Sequence, residues 1–87
     1  SGTVLYGDAN CDDKVDLSDA VMILQAIANE DKYGVNGTSE EHITAQGLIN
    51  GDCADPGSGV TAMDALSVQK YVAEICTLPV YTDSSTK

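Results

Sequence analysis

Oxygen-bearing side chains alternate through Asp8-Ala9-Asn10-Cys11-Asp12-Asp13-Lys14-Val15-Asp16-Leu17-Ser18-Asp19, at the spacing of an EF-hand cation loop. Calcium is a hard ion that takes six to eight oxygens at about 2.3–2.6 Å, so a chain wound around it must turn alternate side chains inward. Asp8, Asn10 and Asp12 meet that demand, and Lys14 would offer its backbone carbonyl. Asp16 would act directly or through water, and Asp19 would close the shell from the first turn of a following helix. Val15 then points into the core. The sharp turn at the sixth position normally takes Gly and here falls on Asp13; Asp tolerates positive φ better than most residues, so the loop should close at some cost. A solvated acidic turn that binds nothing is the bland alternative, disfavoured by agreement at five ligand positions followed by a helix.

A second stretch, Asp52 to Asp64, repeats the ends of the first but is one residue longer and has fewer acids. Counting back from Asp64 aligns Gly59 with Lys14 and Val60 with Val15, which leaves the extra residue within Cys53 to Ser58. Asp52, Asp55, the Gly59 carbonyl and Asp64 are the expected ligands, with Ser58 and Thr61 completing the candidate set; a structural turn without metal is the alternative. Eight of the fourteen acids lie in these two windows of a chain whose net charge is −10. Two divalent ions would offset four of those charges, so folding is expected to depend on calcium.

These loops need elements to position them. Gly7-Asp8 to Asn29 laid against Gly51-Asp52 to Glu74 is an internal duplication: Gly-Asp, an acidic turn-rich stretch, a Val, an Asp four residues on, an Ala, and an apolar segment of helical length. Leu17 to Asn29 and Ala62 to Ile75 lack Gly and Pro and read as helices. Ala20, Ile23, Leu24 and Ile27 are the expected core stripe of the first, and Ala65, Val68 and Val72 that of the second. Between them, Asn36-Gly37 marks a turn, and Thr38 with Glu41 reads as a capping box that starts a short helix near Ser39, ended by Gly47. The segment before Asp8 is too short and too β-branched for a helix, so the first unit is loop then helix.

Composition narrows the function classes. Eighty-seven residues without Phe or Trp form one small aliphatic core, which usually needs a metal or disulfide staple. Four lysines and no electropositive surface argue against nucleic acid and anionic lipid. The longest uninterrupted apolar run, Ala20 to Leu24, cannot span a bilayer, and no signal peptide opens the chain, so a soluble module excised from something longer is expected. Cys11, Cys53 and Cys76 show no CxxC spacing; a Cys11–Cys53 bridge is conceivable, but free thiols are the simpler reading. The sole histidine, His42, reads as a surface residue with no nucleophile tied to it, so the chain is not expected to be an enzyme. Asn36-Gly37-Thr38 fits a glycosylation sequon but is read as a turn.

The first helix is apolar on too many sides for a solvated helix. Beyond its core stripe it carries Val21, Met22 and Ala28 beside Gln25 and Asn29, a contiguous patch that suggests an interaction site. Leu17, Ser18, Val21, Met22 and Gln25 are the candidate partner contacts. The equivalent positions of the second helix, among them Leu66, Lys70 and Tyr71, are more polar and are read as secondary contacts.

Gly7-Asp8-Ala9-Asn10 with Val15 and Asp19-Ala20, and the second Gly51-Asp52 to Asp64-Ala65 unit, resemble the dockerin family over about Tyr6 to Tyr81. The long second loop and Asp31-Lys32-Tyr33-Gly34-Val35 look like the ruminococcal members. The resemblance implies an all-α fold of duplicated F-hand loop-helix repeats joined by a short middle helix. One domain would cover 1–87: repeat one about 7–29, a connecting segment 30–50, repeat two about 51–75, and a polar tail 82–87. It also implies two calcium ions and, as partner, the cohesin module of a scaffoldin, bound by a monomer. Its setting would be a secreted, cell-surface-associated cellulosome that degrades plant polysaccharide. Members of the family join their ends in an apolar clasp, for which Tyr6 against Pro79 or Tyr81 is the candidate pair. A calcium sensor or buffer of EF-hand type is the main alternative, disfavoured by two Met residues and a missing entering helix; a purely structural calcium domain is the other.

Overall fold

The computed structural model describes residues 3–81. The described residues form α1 (Leu17–Ala28), α2 (Glu30–Tyr33), α3 (Ala45–Gly51) and α4 (Ala62–Val72), an all-α arrangement of two loop-helix units with short helices between them. The polar stretch 82–87 lies outside the described residues.

Helices α1 and α4 start in the same way. The Asp16 carboxylate accepts from the Ser18 N–H while Asp19 accepts from the Asp16 N–H at 2.8 Å. Thr61 and Asp64 repeat this capping box, Asp64 accepting from the Thr61 N–H at 2.6 Å. Each box satisfies helix-start donors that would otherwise be orphaned, and it fixes one carboxylate at the mouth of each loop. The two helices pack on each other and run antiparallel. Val15 shares a cleft with Tyr71 and Val72 at the end of α4, and Val60 shares one with Ala26 and Ile27 at the end of α1. Each loop therefore seats its Val against the other unit's helix.

The buried apolar core is Ala9, Ala20, Ile23, Ala26, Ile43, Cys53, Ala65 and Val68, flanked by Tyr6, Val15, Met22, Leu48, Val60 and Leu78. This corrects the expected stripe. Leu24 and Ile27 are 41% and 47% exposed, and Ala26 takes the interior position. In α4, Val72 is exposed while Ser67 is buried. The buried arc of α1 follows the i, i+4, i+7 row of Asp19, Ile23 and Ala26, with Ala20 beside it.

Two more expectations fail for long-range reasons. No helix starts near Ser39; its hydroxyl accepts from the Glu41 N–H at 3.0 Å in a turn, and α3 begins six residues later with Thr44 as N-cap for the Gly47 N–H. Gly47 lies inside α3 instead of ending it, because a Cβ there would run into the Ala9 carbonyl where α3 crosses the first loop. His42 is thus half-buried in a non-helical stretch, its Nδ1 2.7 Å from the Ile43 carbonyl. The second long helix stops at Val72 and not at Ile75: Glu74 takes φ 64°, its N–H donates to the Tyr71 carbonyl, and the Ile75 N–H donates to the Lys70 carbonyl, a Schellman ending. The turn at Asn36-Gly37 forms as expected, with the Gly37 N–H donating to Gly34 at 2.8 Å.

That ending sends the chain back over the second loop. The Val80 N–H donates to the Cys53 carbonyl at 2.7 Å and the Asp55 N–H to the Val80 carbonyl at 2.6 Å. The start of the chain is held by the Gly7 N–H on the Asn50 carbonyl at 2.7 Å. Leu78 packs near the start of the chain: its Cδ1 would be 2.6 Å from a Cβ on Gly7, whose φ of 98° favours glycine. Tyr81 is 63% exposed, Pro79 is half-buried, and Tyr6 and Leu78 both pack against the core.

Candidate metal loops and partner face

Three of the seven largest fully buried side chains are carboxylates, Asp8, Asp19 and Asp64. Burying a charge is costly without compensation, and each of these lies at an end of an acidic loop.

In loop 1 (residues 8–19), oxygens of Asp8, Asp12 and Asp19 lie within 4.8 Å of one another. The backbone organises this cluster. Asp8 accepts from the Asp12 N–H at 3.1 Å and the Asp13 N–H at 2.9 Å, and Asp12 accepts from the Lys14 N–H at 3.0 Å. Asp19 accepts from the Asn10 N–H at 3.1 Å. The winding needs left-handed residues, and Cys11 and Asp13 supply them with φ 60° and 70°. Asp16 stands apart at the N-cap, where the Ser18 hydroxyl beside it lowers its pKa from the ordinary value. Burial, with the Asp8 charge adding to it, raises that of Asp19. Two unit charges 4.8 Å apart repel by roughly 3 kcal/mol at an effective dielectric near 20, a load a divalent cation would remove.

Loop 2 (residues 52–64) keeps the same ends. Asp64 accepts from the Ala54 N–H at 2.7 Å, as Asp19 does from Asn10, so Ala54 occupies the position of Asn10 and brings no side-chain ligand. Burial again raises the Asp64 pKa. Asp52 accepts from Gly57 and Gly59 N–H groups at 2.7 and 3.3 Å through Oδ2, while its Oδ1 is buried without a partner. Asp55, Gly57 and Gly59 all have positive φ. The Ser58 hydroxyl donates to the Ala54 carbonyl at 3.4 Å, and the Thr61 hydroxyl caps Met63.

The residues fit a hard cation. The clustered groups of loop 1 are carboxylate oxygens, and the orphaned Asp52 Oδ1 is an atom whose burial costs about 1–3 kcal/mol unless something meets it. All three cysteines are free, and burial pushes the Cys53 thiol up to about 12, out of the range of a reactive thiolate.

On α1, Leu17 and Val21 are 55% and 52% exposed, Ser18 is exposed, and Met22 and Gln25 are half-buried. On α4, Leu66, Lys70 and Tyr71 are exposed. Among the described residues no helix is long and apolar enough to cross a membrane.

No family model matches the chain. A stretch of 67 residues, 77% of the chain, is 57% identical to a xylanase/beta-glucanase of Ruminococcus flavefaciens, of which it spans 8% of the length. The chain also matches, with 52% identity and a TM-score of 0.85, a structure of the third ScaB cohesin of R. flavefaciens in complex with a group 1 dockerin, covering 87% of this chain and 99% of the matched one. The chain belongs to the dockerin family.

With the dockerin fold in view, two features stand out that the sequence reading missed. Leu24, assigned there to the core, is exposed in line with Leu17, Val21 and Ala28. The i, i+4, i+7, i+11 spacing of these four was a readable sign of a second apolar stripe. Glu40, Glu41, His42 and Thr44 line one groove with Ser18, Val21, Met22 and Gln25. No local pattern announces that juxtaposition, because it depends on how the connecting segment folds back.

Proposed function

We propose that this dockerin binds a cohesin in a calcium-dependent way and so attaches a polysaccharide-degrading subunit to an extracellular scaffold at the cell surface. The observation that carries the reading is the 52% identity over a shared fold with a dockerin solved in complex with a ScaB cohesin; the match to a short part of a xylanase/beta-glucanase agrees with it. In this reading the module is monomeric before it meets the cohesin and does no chemistry itself.

Two calcium ions organise the module. Asp8, Asn10, Asp12, the Lys14 carbonyl and Asp19 hold the first, with Asp16 acting directly or through water. Asp52, Asp55, Ser58, the Gly59 carbonyl, Thr61 and Asp64 hold the second. The bound ions supply positive charge where buried carboxylates converge, and they fix the N-terminal turns of α1 and α4. Leu17, Ser18, Val21, Met22 and Gln25, with Leu24 beside them, form the primary cohesin face, and Leu66, Lys70 and Tyr71 a lesser one. Titration calorimetry with the third ScaB cohesin tests this. Binding that is present in calcium and lost in chelator is expected; binding unaffected by chelator would overturn the calcium requirement, and absence of binding in calcium would overturn the partner.

A further inference from the structure

A groove of about 580 Å³ runs along α1. One wall is Ser18, Val21, Met22 and Gln25; the other comes from the connecting segment, with Glu40, Glu41 and His42. We infer that this segment is a second wall of the cohesin site and that Glu40 and Glu41 there receive a Lys or Arg side chain of the cohesin. The inference rests on the cohesin-binding reading above and adds to it a contact from outside the helices.

Three observations support it. The wall is built in advance: Ile43 is buried and its N–H donates to the Tyr33 carbonyl at 2.9 Å, the Ser39 N–H donates to the Lys32 carbonyl at 2.9 Å, and Thr44 caps α3. Ordering costs on binding are correspondingly small. The groove is continuous with the exposed apolar face of α1, since Val21 belongs to both. Its charge is uncompensated: Glu40 and Glu41 are exposed, make no ion pair among the described residues, and share the groove with no Lys.

A Lys or Arg fits this mixture better than any other side chain. Its aliphatic stem can lie along Val21 and Met22 while its head reaches the carboxylates. Docking then excludes water from the pair, which strengthens the attraction over that of a surface ion pair. His42 is fixed on the same wall, its Nδ1 donating to the Ile43 carbonyl at 2.7 Å. The net charge of −10 draws a basic surface toward the module from a distance but selects no place on it; the groove supplies the place.

The test compares Glu40→Gln/Glu41→Gln with Glu30→Gln/Asp31→Asn, which removes the same charge from α2. Kinetics and affinity are measured against the third ScaB cohesin in saturating calcium, with folding checked by circular dichroism. The groove variant is expected to bind about tenfold more weakly, chiefly through faster dissociation, as for a desolvated pair, while the α2 variant changes by less than about twofold. Equal losses in both variants would reduce the effect to the general field and overturn the inference, as would an unchanged groove variant beside a binding wild type. If the wild type does not bind, the cohesin reading fails, and the inference with it.

Discussion

Asp8 and Asp52 open the two loops from equivalent positions, yet the backbone meets them differently. Both oxygens of Asp8 accept N–H groups of its own loop. Asp52 has one oxygen that accepts two and another that is buried with none. At the far ends the loops agree: Asp19 and Asp64 each accept one N–H from the loop start and one from the N-cap residue. The closing end of such a loop is therefore set by the helix it caps, and the middle by composition. Loop 1 is acidic and already wound around its centre. Loop 2 has replaced Asn10 with Ala54 and gained Gly57 and Gly59, leaving a coordination gap for the ion itself to organise. Since preorganisation lowers the cost of binding, loop 1 should be the tighter site and loop 2 the one whose order depends more on its ion.

The largest effect should come from removing calcium altogether. An ion at a thousandfold excess over its dissociation constant stabilises by about 4 kcal/mol, and each kcal/mol moves the melting temperature of a domain of this size by about 4–8 °C. Losing both ions should lower the melt by roughly 20 °C or more, or unfold the chain. Circular dichroism melts with and without chelator check this, and coincident curves would remove the physical basis for comparing the loops at all.

Single substitutions separate the loops. Asp8→Ala and Asp52→Ala should each lower the calcium stoichiometry by one, with the tighter binding event lost only in the first; the expected stability losses in calcium are about 2–4 kcal/mol each. Asp13→Ala should do far less, because its contribution to the cluster is its backbone N–H. If Asp52→Ala abolishes the tighter event, the ranking of the loops is reversed.

The helices offer a third comparison. Val21 and Leu66 are equivalent, exposed at 52% and 39%. Val21→Asp should weaken cohesin binding by about 2 kcal/mol, since an unpaired carboxylate would be stripped of water, whereas Leu66→Asp should cost under about 0.5 kcal/mol, as rim positions do. Equal losses would make both faces partners of one interface, and a loss confined to Leu66→Asp would move the site to α4.

How much of this was readable depends on the range of the interactions involved. The loop ends are local, repeated patterns that sequence spacing marks; the boxes at Asp16/Asp19 and Thr61/Asp64 are equally local, but the sequence reading takes those residues only as candidate ligands. Thr38 and Thr44 are both plausible helix starts by local chemistry; burial of Ile43 and the close approach of Gly47 to Ala9 favour the second, and neither is visible within a short window. Likewise Leu24 belongs to the core on hydrophobicity alone, yet it is exposed while Ala26 is buried, a choice made by how α1 packs on α4. The acidic wall at Glu40 and Glu41 is the extreme case, since it exists only through the return of a segment onto α1.

In chelator the same carboxylates should give the domain an acid-stabilised profile. Burial raises the folded pKa of Asp19 and Asp64 above the ordinary 3.8, so the folded state holds more protons than the unfolded one between those values. The stabilisation is full below the unfolded pKa and is lost as pH rises through the folded one. The apo melt should therefore rise as pH is lowered through the folded pKa of these carboxyls, whereas the calcium-loaded melt should fall as protons compete with the ion. Asp16, lowered by its bond to Ser18, opposes this weakly because it is fully exposed. Apo melts that drop on acidification would mean the buried pair is ionised and compensated without metal.

The smallest effect concerns the turn in each loop. Asp13 holds φ 70° where loop 2 has Gly57 and Gly59 at φ 99° and 96°. A left-handed non-glycine residue costs on the order of 1 kcal/mol, less for Asp, and Gly adds unfolded-state entropy that cancels part of any relief. Asp13→Gly should thus shift stability by under about 0.5 kcal/mol in either direction. Gly59→Ala should cost about 1 kcal/mol, and that cost would be purely conformational, since nothing lies within 4 Å of a Cβ placed there. Chemical denaturation in saturating calcium resolves the two. A cost at Asp13→Gly as large as that at Gly59→Ala would show that the Asp13 carboxylate, and not only its backbone, holds loop 1 together.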